Sequence, residues 1–488
     1  MTFNSIPFAL FLLCVVILYN VVSQRWRASI LLLASYVFYA INSGIYAVFL
    51  VMVTILTYSS GLLISKRFNH KKILLAIGIV FTISFLVFFK YTNFAITIWN
   101  DMSSIWNGNT YNLLRIIVPV GISFYTFVAV GYLIDVYFNK AEPERNIIRF
   151  ALFLSYFPAI LSGPIERSTS LLPQLRQLDN TRYENARDGF FLLLWGLFYK
   201  LVIADRLALC ANTVFADVHS FRGLSLLIAS VFYTFQIYFD FAGYTYMALG
   251  VSSFFNIRLT NNFNKPYMAV SLTDFWRRWH ISLTSWFRDY LYIPLGGNRV
   301  KLIWWAINVM IVFFVSGLWH GAFYTFIIWG ALHGLIQVAE KFIIPDKQKR
   351  TGIKRGHNRF VCTARVLITF FIVSAAWVFF RANSVSDAWY VIKGSCILSD
   401  YSLRGLSSPS GTSALLGMSL FDTILAFVFV SIAVIMEITI GDNADGLYFL
   451  KFFENKSPII KWLGGGIISL VILWFGKLGV SEFVYFNF

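Results

Sequence analysis

The chain has 488 residues, of which 58% are hydrophobic, 19% aromatic and only 13% charged, whereas a soluble globular domain carries about 25% charged residues. That composition excludes a soluble enzyme and predicts an all-α polytopic membrane protein. The formal net charge of +17 would suit a nucleic-acid binder, but the basic residues fall in short loops between apolar runs. There they fit the positive-inside rule and contact with anionic lipid, so lipid is the expected partner and nucleic acid is not.

A spanning helix needs about 20 apolar residues, and runs of that kind recur along the whole chain. The predicted spans are 5–22, 28–42, 44–65, 73–90, 113–138, 147–163, 188–210, 224–250, 302–319, 321–343, 363–380, 420–440 and 459–478. Roughly eleven to thirteen crossings are expected on this length criterion. The run Pro7–Val22 has no positive charge before it and no small-residue cleavage site after it, which predicts a retained first span rather than a signal peptide. Pro119 with Gly121, and Pro158 with Gly163-Pro164, predict broken or re-entrant segments, allowed where backbone is buried in protein or lines a cavity.

Orientation follows from Lys and Arg. Arg25-Trp26-Arg27, Lys66–Lys72, Lys140–Arg149 and Lys347–Arg359 are basic, whereas Tyr91–Asn112 contains neither Lys nor Arg. The positive-inside rule then puts the N-terminus outside, the basic loops inside, and Tyr91–Asn112 and the Ser/Gly-rich stretch Arg404–Gly417 on the outer face. Cys14, Cys210, Cys362 and Cys396 lack metal-ligand spacing and read as packing residues. No metal site is expected, and no internal or inverted repeat of the transporter kind is present. The whole chain, 1–488, reads as one integral-membrane domain.

The segment Ser271–Gly297 combines aromatic and basic residues. Read as one helix, it aligns Trp276, Trp279, Leu283, Trp286, Phe287 and Tyr290 at spacings of three and four. Arg277, Arg278, Ser285, Arg288 and Asp289 fall on the opposite side, the pattern of an amphipathic helix lying in the membrane interface. Ser271 or Thr273 is a plausible N-cap, and Pro294 with Gly296-Gly297 ends the segment. His280 lies at the edge of the aromatic stripe, away from the arginines. It either anchors this helix or points into a reaction path.

The run Leu302–Leu318 carries no charged residue and ends in Gly317-Leu318-Trp319-His320-Gly321. An ionisable group at membrane depth is costly and usually faces a cavity, and a neutral imidazole there can serve as a general base towards a hydroxyl. Helix packing through the Gly317/Gly321 pair is the competing reading. The spelling recurs at Gly330-Ala331-Leu332-His333-Gly334, so His333 is a second, weaker candidate. Asp135, Asp205-Arg206 and Asp240 read as structural pairs with one another or with Lys200. The chain contains no G-x-S-x-G elbow, Walker loop, H-E-x-x-H helix or zinc-spaced cysteine pair.

Several longer runs carry a resemblance. Asn262-Phe263-Asn264-Lys265-Pro266-Tyr267, Asp274-Phe275-Trp276-Arg277-Arg278-Trp279-His280-Ile281-Ser282-Leu283 and Trp286-Phe287-Arg288-Asp289-Tyr290-Leu291-Tyr292-Ile293-Pro294-Leu295-Gly296-Gly297-Asn298-Arg299 resemble the signature of bacterial membrane-bound O-acyltransferases. The branch they resemble is that of the alginate O-acetyltransferase membrane component. Gly317–Ala322 is similar to the family's second histidine motif, and Gln236–Tyr244, Gly163–Arg167 and Trp377–Ala382 match as well. The likeness covers about residues 115–385. Tyr246 departs from it, standing where that branch is expected to have an acidic residue.

The resemblance implies a ring of transmembrane helices around a thinned centre, with a histidine at the base of an outward-facing funnel. It implies an acetyl thioester, of coenzyme A or an acyl carrier protein, on the cytoplasmic side and a hydroxyl acceptor on the outer side of a bacterial inner membrane. It carries the catalytic role to His320 and a supporting one to His280. Arg277, Arg278, Arg288 and Trp279 are then candidates for donor binding, with headgroup contact as the other reading of the arginines. Asp240, Asp289 and Asn264 are motif residues with structural roles. The acceptor is expected to be an alginate-like exopolysaccharide, with peptidoglycan, teichoic acid or cellulose as alternatives, and a transporter or export channel as the rival class. Because the chain lacks a sizeable polar outer segment, a secreted or membrane-anchored SGNH-type acetyltransferase is expected to complete the transfer.

Overall fold

The computed structural model describes residues 1–66, 70–106, 108–343, 359–401, 416–440, 447–480 and 483–484. The basic loop Lys347–Arg359 lies outside the described residues except for Arg359, as does Arg404–Gly417 except for its last two residues; Lys66–Lys72 is described in part. Helices recur along the whole described chain. Long apolar runs leave the backbone no partner but itself in lipid, and a helix satisfies every N–H and C=O internally.

Two compact units divide the chain: one of Met1–Phe190 with Ala248–Thr260, the other of Phe191–Met247 with Asn261–Phe488. The first begins with α1 (Ile6–Val21), α2 (Gln24–Ser43), α3 (Ala47–Ser65) and α4 (Lys71–Ile105). It continues with α5 (Ile122–Tyr137), α6 (Ile147–Ser155), α7 (Ser168–Arg176) and the start of α8 (Tyr183–Leu197). The side chain of Ser5 caps α1 by accepting from the Phe8 N–H, and Asn146 caps α6 through the Arg149 N–H. Inside this unit, Glu166 accepts from the backbone and side chain of Thr260, and Arg27 donates to the carbonyl oxygens of Tyr19 and Leu178. Each buried charge is thus held by nearby polar atoms.

The second unit holds a π-helical turn at Phe198–Ala204 and α9 (Asp205–Ala216), then most of α10 (Leu224–Ser253). It continues with α11 (Leu272–Arg278), α12 (Ile281–Phe287), α13 (Leu302–His320), α14 (Tyr324–Ile343) and α15 (Arg359–Arg381). It ends with α16 (Val385–Ser395), α17 (Leu420–Thr439), α18 (Tyr448–Phe453) and α19 (Pro458–Phe475). Lys200 in the π-helical turn bridges Asp205 at 2.9 Å and Asp240 at 2.7 Å, the pairing expected of these residues. Arg206 departs from that expectation and pairs with Asp422 at 3.2 Å.

Among the described residues, eight helices are long and apolar enough to cross a membrane, fewer than the eleven to thirteen expected. One of the eight is the 42-residue run Gln24–Ser65, in which the left-handed backbone of Gly44 (φ 58°) separates α2 from α3. The runs 5–22 and 113–138 yield helices of 16 residues each. The run 147–163 stops at Ser155 and turns, three residues ahead of Pro158, whose ring disfavours a helical residue before it. The run 73–90 is longer than expected: α4 continues into Tyr91–Asn112 as far as Ile105, because uncharged Tyr, Thr, Asn and Ser residues do not interrupt a helix. Apolar side chains such as Ile73 and Val80 in the first unit and Leu473 and Trp474 in the second are more than half exposed, surfaces suited to lipid.

Candidate active site

Two glycine faces build the frame of the site. α13 and α14 form a hairpin in which a side chain at Gly317 would meet the Phe326 carbonyl oxygen at 2.4 Å, and one at Gly330 would meet that of Phe313 at 2.3 Å. The Gly330 position also lies 3.4 Å from the Gly317 Cα. Only hydrogen fits at either position, so the glycines do serve helix packing, and by doing so they fix the end of α13. His320 is the last residue of α13 and is 1% exposed. Its ring lies 4.9 Å from Trp319, 5.0 Å from Trp329 and 5.3 Å from Phe380, centroid to centroid.

His280 arrives from the other direction. The helix expected to run through Ser271–Gly297 is broken at this residue: α11 ends at Arg278, and His280 takes a left-handed backbone (φ 43°) before α12 begins. Non-glycine residues seldom adopt that conformation, and it persists where the surroundings impose it. Here Asn262 and Asn264 impose it. The Asn264 N–H donates to the Arg278 carbonyl at 2.9 Å, and the Asn262 carbonyl accepts from the Ile281 N–H at 3.0 Å. The Asn262 side chain accepts from the N–H of Ser282 at 3.2 Å and from its hydroxyl at 2.7 Å. The Ser271 hydroxyl caps α11 through the Asp274 N–H at 3.1 Å, as expected. Glu340 of α14 accepts from the backbone N–H groups of Leu272 and Thr273, placing a carboxylate at the helix N-terminus.

The turn sends the His280 side chain inward, where it is fully buried. Its ring is 4.7 Å from Phe241 and 6.4 Å from His320. Burial pushes its pKa down to about 3, so the ring is neutral. Two imidazoles 40 positions apart in sequence therefore share one aromatic cluster.

A cavity of about 490 Å³ opens beside this cluster, with Arg277, Arg288 and Lys341 among its walls. It reaches Ile281, next to His280, and Ser316, one helical turn before His320. The other residues singled out in the sequence sit elsewhere. Arg278 pairs with Asp274 at 2.9 Å, and Asp289 pairs with Arg288 at 2.8 Å. Trp279 is fully buried against Phe263 at 5.1 Å and Trp377 at 5.0 Å, away from the cavity walls. Asp240 holds Lys200 and accepts from the Val484 N–H at 2.7 Å.

Comparison with known proteins decides the family. The membrane-bound O-acyltransferase family profile matches residues 143–382. A peptidoglycan O-acetyltransferase of Helicobacter pylori is 34% identical, over 94% of this chain and 91% of that protein. A probable alginate O-acetylase AlgI of Pseudomonas aeruginosa is 36% identical, over 88% of this chain and 81% of its own length. The chain belongs to the membrane-bound O-acyltransferase family. It is a multi-pass membrane enzyme that transfers acyl groups to oxygen. A teichoic acid D-alanyltransferase of Bacillus subtilis is more distant, 30% identical over 54% of this chain and 69% of that protein.

Within this O-acyltransferase, sequence reasoning missed what holds His280 and what surrounds His320. Asn262 was quoted only as part of a motif. The repeated Asn of Asn261-Asn262-Phe263-Asn264, shortly before the His280 segment, was the available signal. Trp329 carried none, and Phe380 only its place in the run Trp377–Ala382, because their contact with His320 arises only when α14 and α15 fold back.

Proposed function

We propose that this O-acyltransferase moves an acetyl group from a cytoplasmic thioester, of coenzyme A or an acyl carrier protein, to a hydroxyl on the outer side of a bacterial inner membrane. The observation that carries this reading is the pair of buried imidazoles, 6.4 Å apart, beside a cavity with basic walls. His320, neutral, takes the proton of the acceptor hydroxyl as its oxygen attacks the thioester carbonyl carbon. The C–S bond then breaks, and the proton passes from His320 to the departing sulfur. General-base help of this kind is typically worth 10²–10⁴-fold. His280 orients the thioester or the acceptor. Arg277, Arg288 and Lys341 attract the phosphates of the donor, and the positive-inside rule supports the same side for them.

The relatives' names support a cell-envelope polysaccharide as acceptor. An alginate-like exopolysaccharide is the first reading. Peptidoglycan is the second, favoured by 34% identity over nearly the whole chain to the Helicobacter pylori protein. A histidine buried in helices meets only hydroxyls that enter the protein, so a separate SGNH-type acetyltransferase on the outer side takes the group on to the polymer. Membrane vesicles given radiolabelled acetyl thioester on the cytoplasmic side test this. His320→Ala should lower label transfer at least about 100-fold with the protein still in the membrane. Transfer within threefold of wild type overturns the assignment.

A further inference from the structure

His333 stands in the middle of α14, fully buried, and neither of its ring nitrogens has a hydrogen-bond partner among the described residues. The indole N–H groups of Trp276, Trp329 and Trp377 share that condition. All three rings surround His333, with centroids 5.1, 4.9 and 6.4 Å away. Buried polar groups are almost always paired, and each one left unpaired costs about 1–3 kcal/mol. A neutral imidazole carries one N–H donor, so four donors converge in one apolar neighbourhood. A helix-packing role for His333 accounts for its burial but not for this convergence.

The cluster also has a definite place. Trp276 and Phe313 pack against His333 and line the cavity. On its other side Trp329 packs against His320 at 5.0 Å. The group therefore lies between the basic cavity and the histidine that ends α13.

We infer that His333, with the indole N–H groups of Trp276, Trp329 and Trp377, forms a donor-arm site that hydrogen-bonds the carbonyl oxygens of the thioester arm on its way from the cavity to His320. The inference rests on the proposed thioester chemistry. The arm shared by coenzyme A and carrier proteins is a thin chain of methylenes interrupted by amide carbonyls and closed by the thioester carbonyl. Aromatic faces suit the methylenes, and neutral N–H donors suit the carbonyls. Uncharged donors hold such an arm without burying an ion.

The test uses the full protein in nanodiscs with S-acetonyl phosphopantetheine, which keeps the carbonyl but cannot transfer its acyl group. One lost hydrogen bond to a neutral acceptor corresponds to about tenfold in affinity. His333→Phe should therefore weaken binding about tenfold and raise the donor KM to match, whereas His333→Gln, which keeps an N–H, stays within threefold of wild type. Trp329→Phe should weaken binding in the same direction. Should His333→Phe fail to reach the membrane, Trp329→Phe and Trp276→Phe decide by the same measure. Binding within threefold of wild type in these variants, alongside loss of turnover in His320→Ala, overturns the donor-arm site and leaves the proposed function standing. Absence of thioester binding by the wild type overturns both.

Discussion

His320 ends α13 and His333 lies in the middle of α14, although the residues around the two are spelled almost alike. The glycines do the same work in both places, letting α13 and α14 approach until backbone meets backbone at Gly317 and Gly330. The histidines differ because of what else arrives. His320 meets a second imidazole delivered by a left-handed turn, whereas His333 meets the indoles of three separate helices. The motif thus specifies close packing, and the position of each ring along its helix specifies its chemistry.

The comparison breaks most completely if the shared packing is removed. Gly330→Leu puts a branched side chain where a single carbon already lies 2.3 Å from the Phe313 carbonyl oxygen. Neither backbone can yield cheaply, so folded protein recovered from membranes should fall to a small fraction of wild type. Recovery near wild-type amount would show that the hairpin does not depend on this contact.

A smaller effect separates the ring of His280 from its backbone. Asn tolerates the left-handed conformation better than most residues. His280→Asn should therefore keep the turn and the protein's abundance while lowering acetyl transfer on the order of 10-fold or more. His280→Val should lower both, because a β-branched residue at φ 43° is strained. Equal transfer by His280→Asn and wild type would reduce His280 to a packing residue.

The arginines sharpen the contrast between cavity and scaffold. Arg288→Ala, which changes a cavity wall, should raise the donor KM several-fold with little change in kcat, an effect of about 1 kcal/mol. Arg278→Ala removes the ion pair with Asp274 and should leave the donor KM unchanged. The reverse ranking would move the donor's phosphates away from this cavity.

A further effect is expected on stability against pH. The unfolded chain protonates His280 near 6.5, and the folded chain does not until about 3. In that window the unfolded state holds more protons. Stability is therefore fully present above about 6.5 and falls as the pH is lowered towards 3, by at most about 1.4 kcal/mol per pH unit from this residue. The melting temperature of His280→Gln in detergent should drop less between pH 7 and pH 5 than that of wild type; parallel curves would contradict a neutral, buried His280.

Much of the site was legible in the sequence. An imidazole at the end of an uncharged run and a second one amid tryptophans and arginines were visible without a fold, because charge and polarity in an apolar context are rare and costly. The Lys200–Asp240 pairing was legible for the same reason. The continuous helix through Ser271–Gly297 was not the outcome, although its aromatic spacing was helical. Periodicity records which residues share a face, and it is blind to a clasp such as Asn262–Asn264 that breaks the helix from outside. The length criterion likewise misplaced boundaries, since a run of apolar residues does not say where a turn such as that after Ser155 will fall.

The sequence by itself determined that this protein lives in a membrane, that it is helical and which two histidines are its strongest chemical candidates. Each of these follows from local composition and spacing, through desolvation and hydrogen-bond satisfaction along the chain. Only the tertiary structure decided that His280 and His320 share one cluster, that Arg277 and Arg288 line a cavity while Arg278 does not, and that Trp329 stands between His320 and His333. Those facts depend on contacts between residues tens of positions apart, set by close packing and by backbone hydrogen bonds that no local pattern encodes.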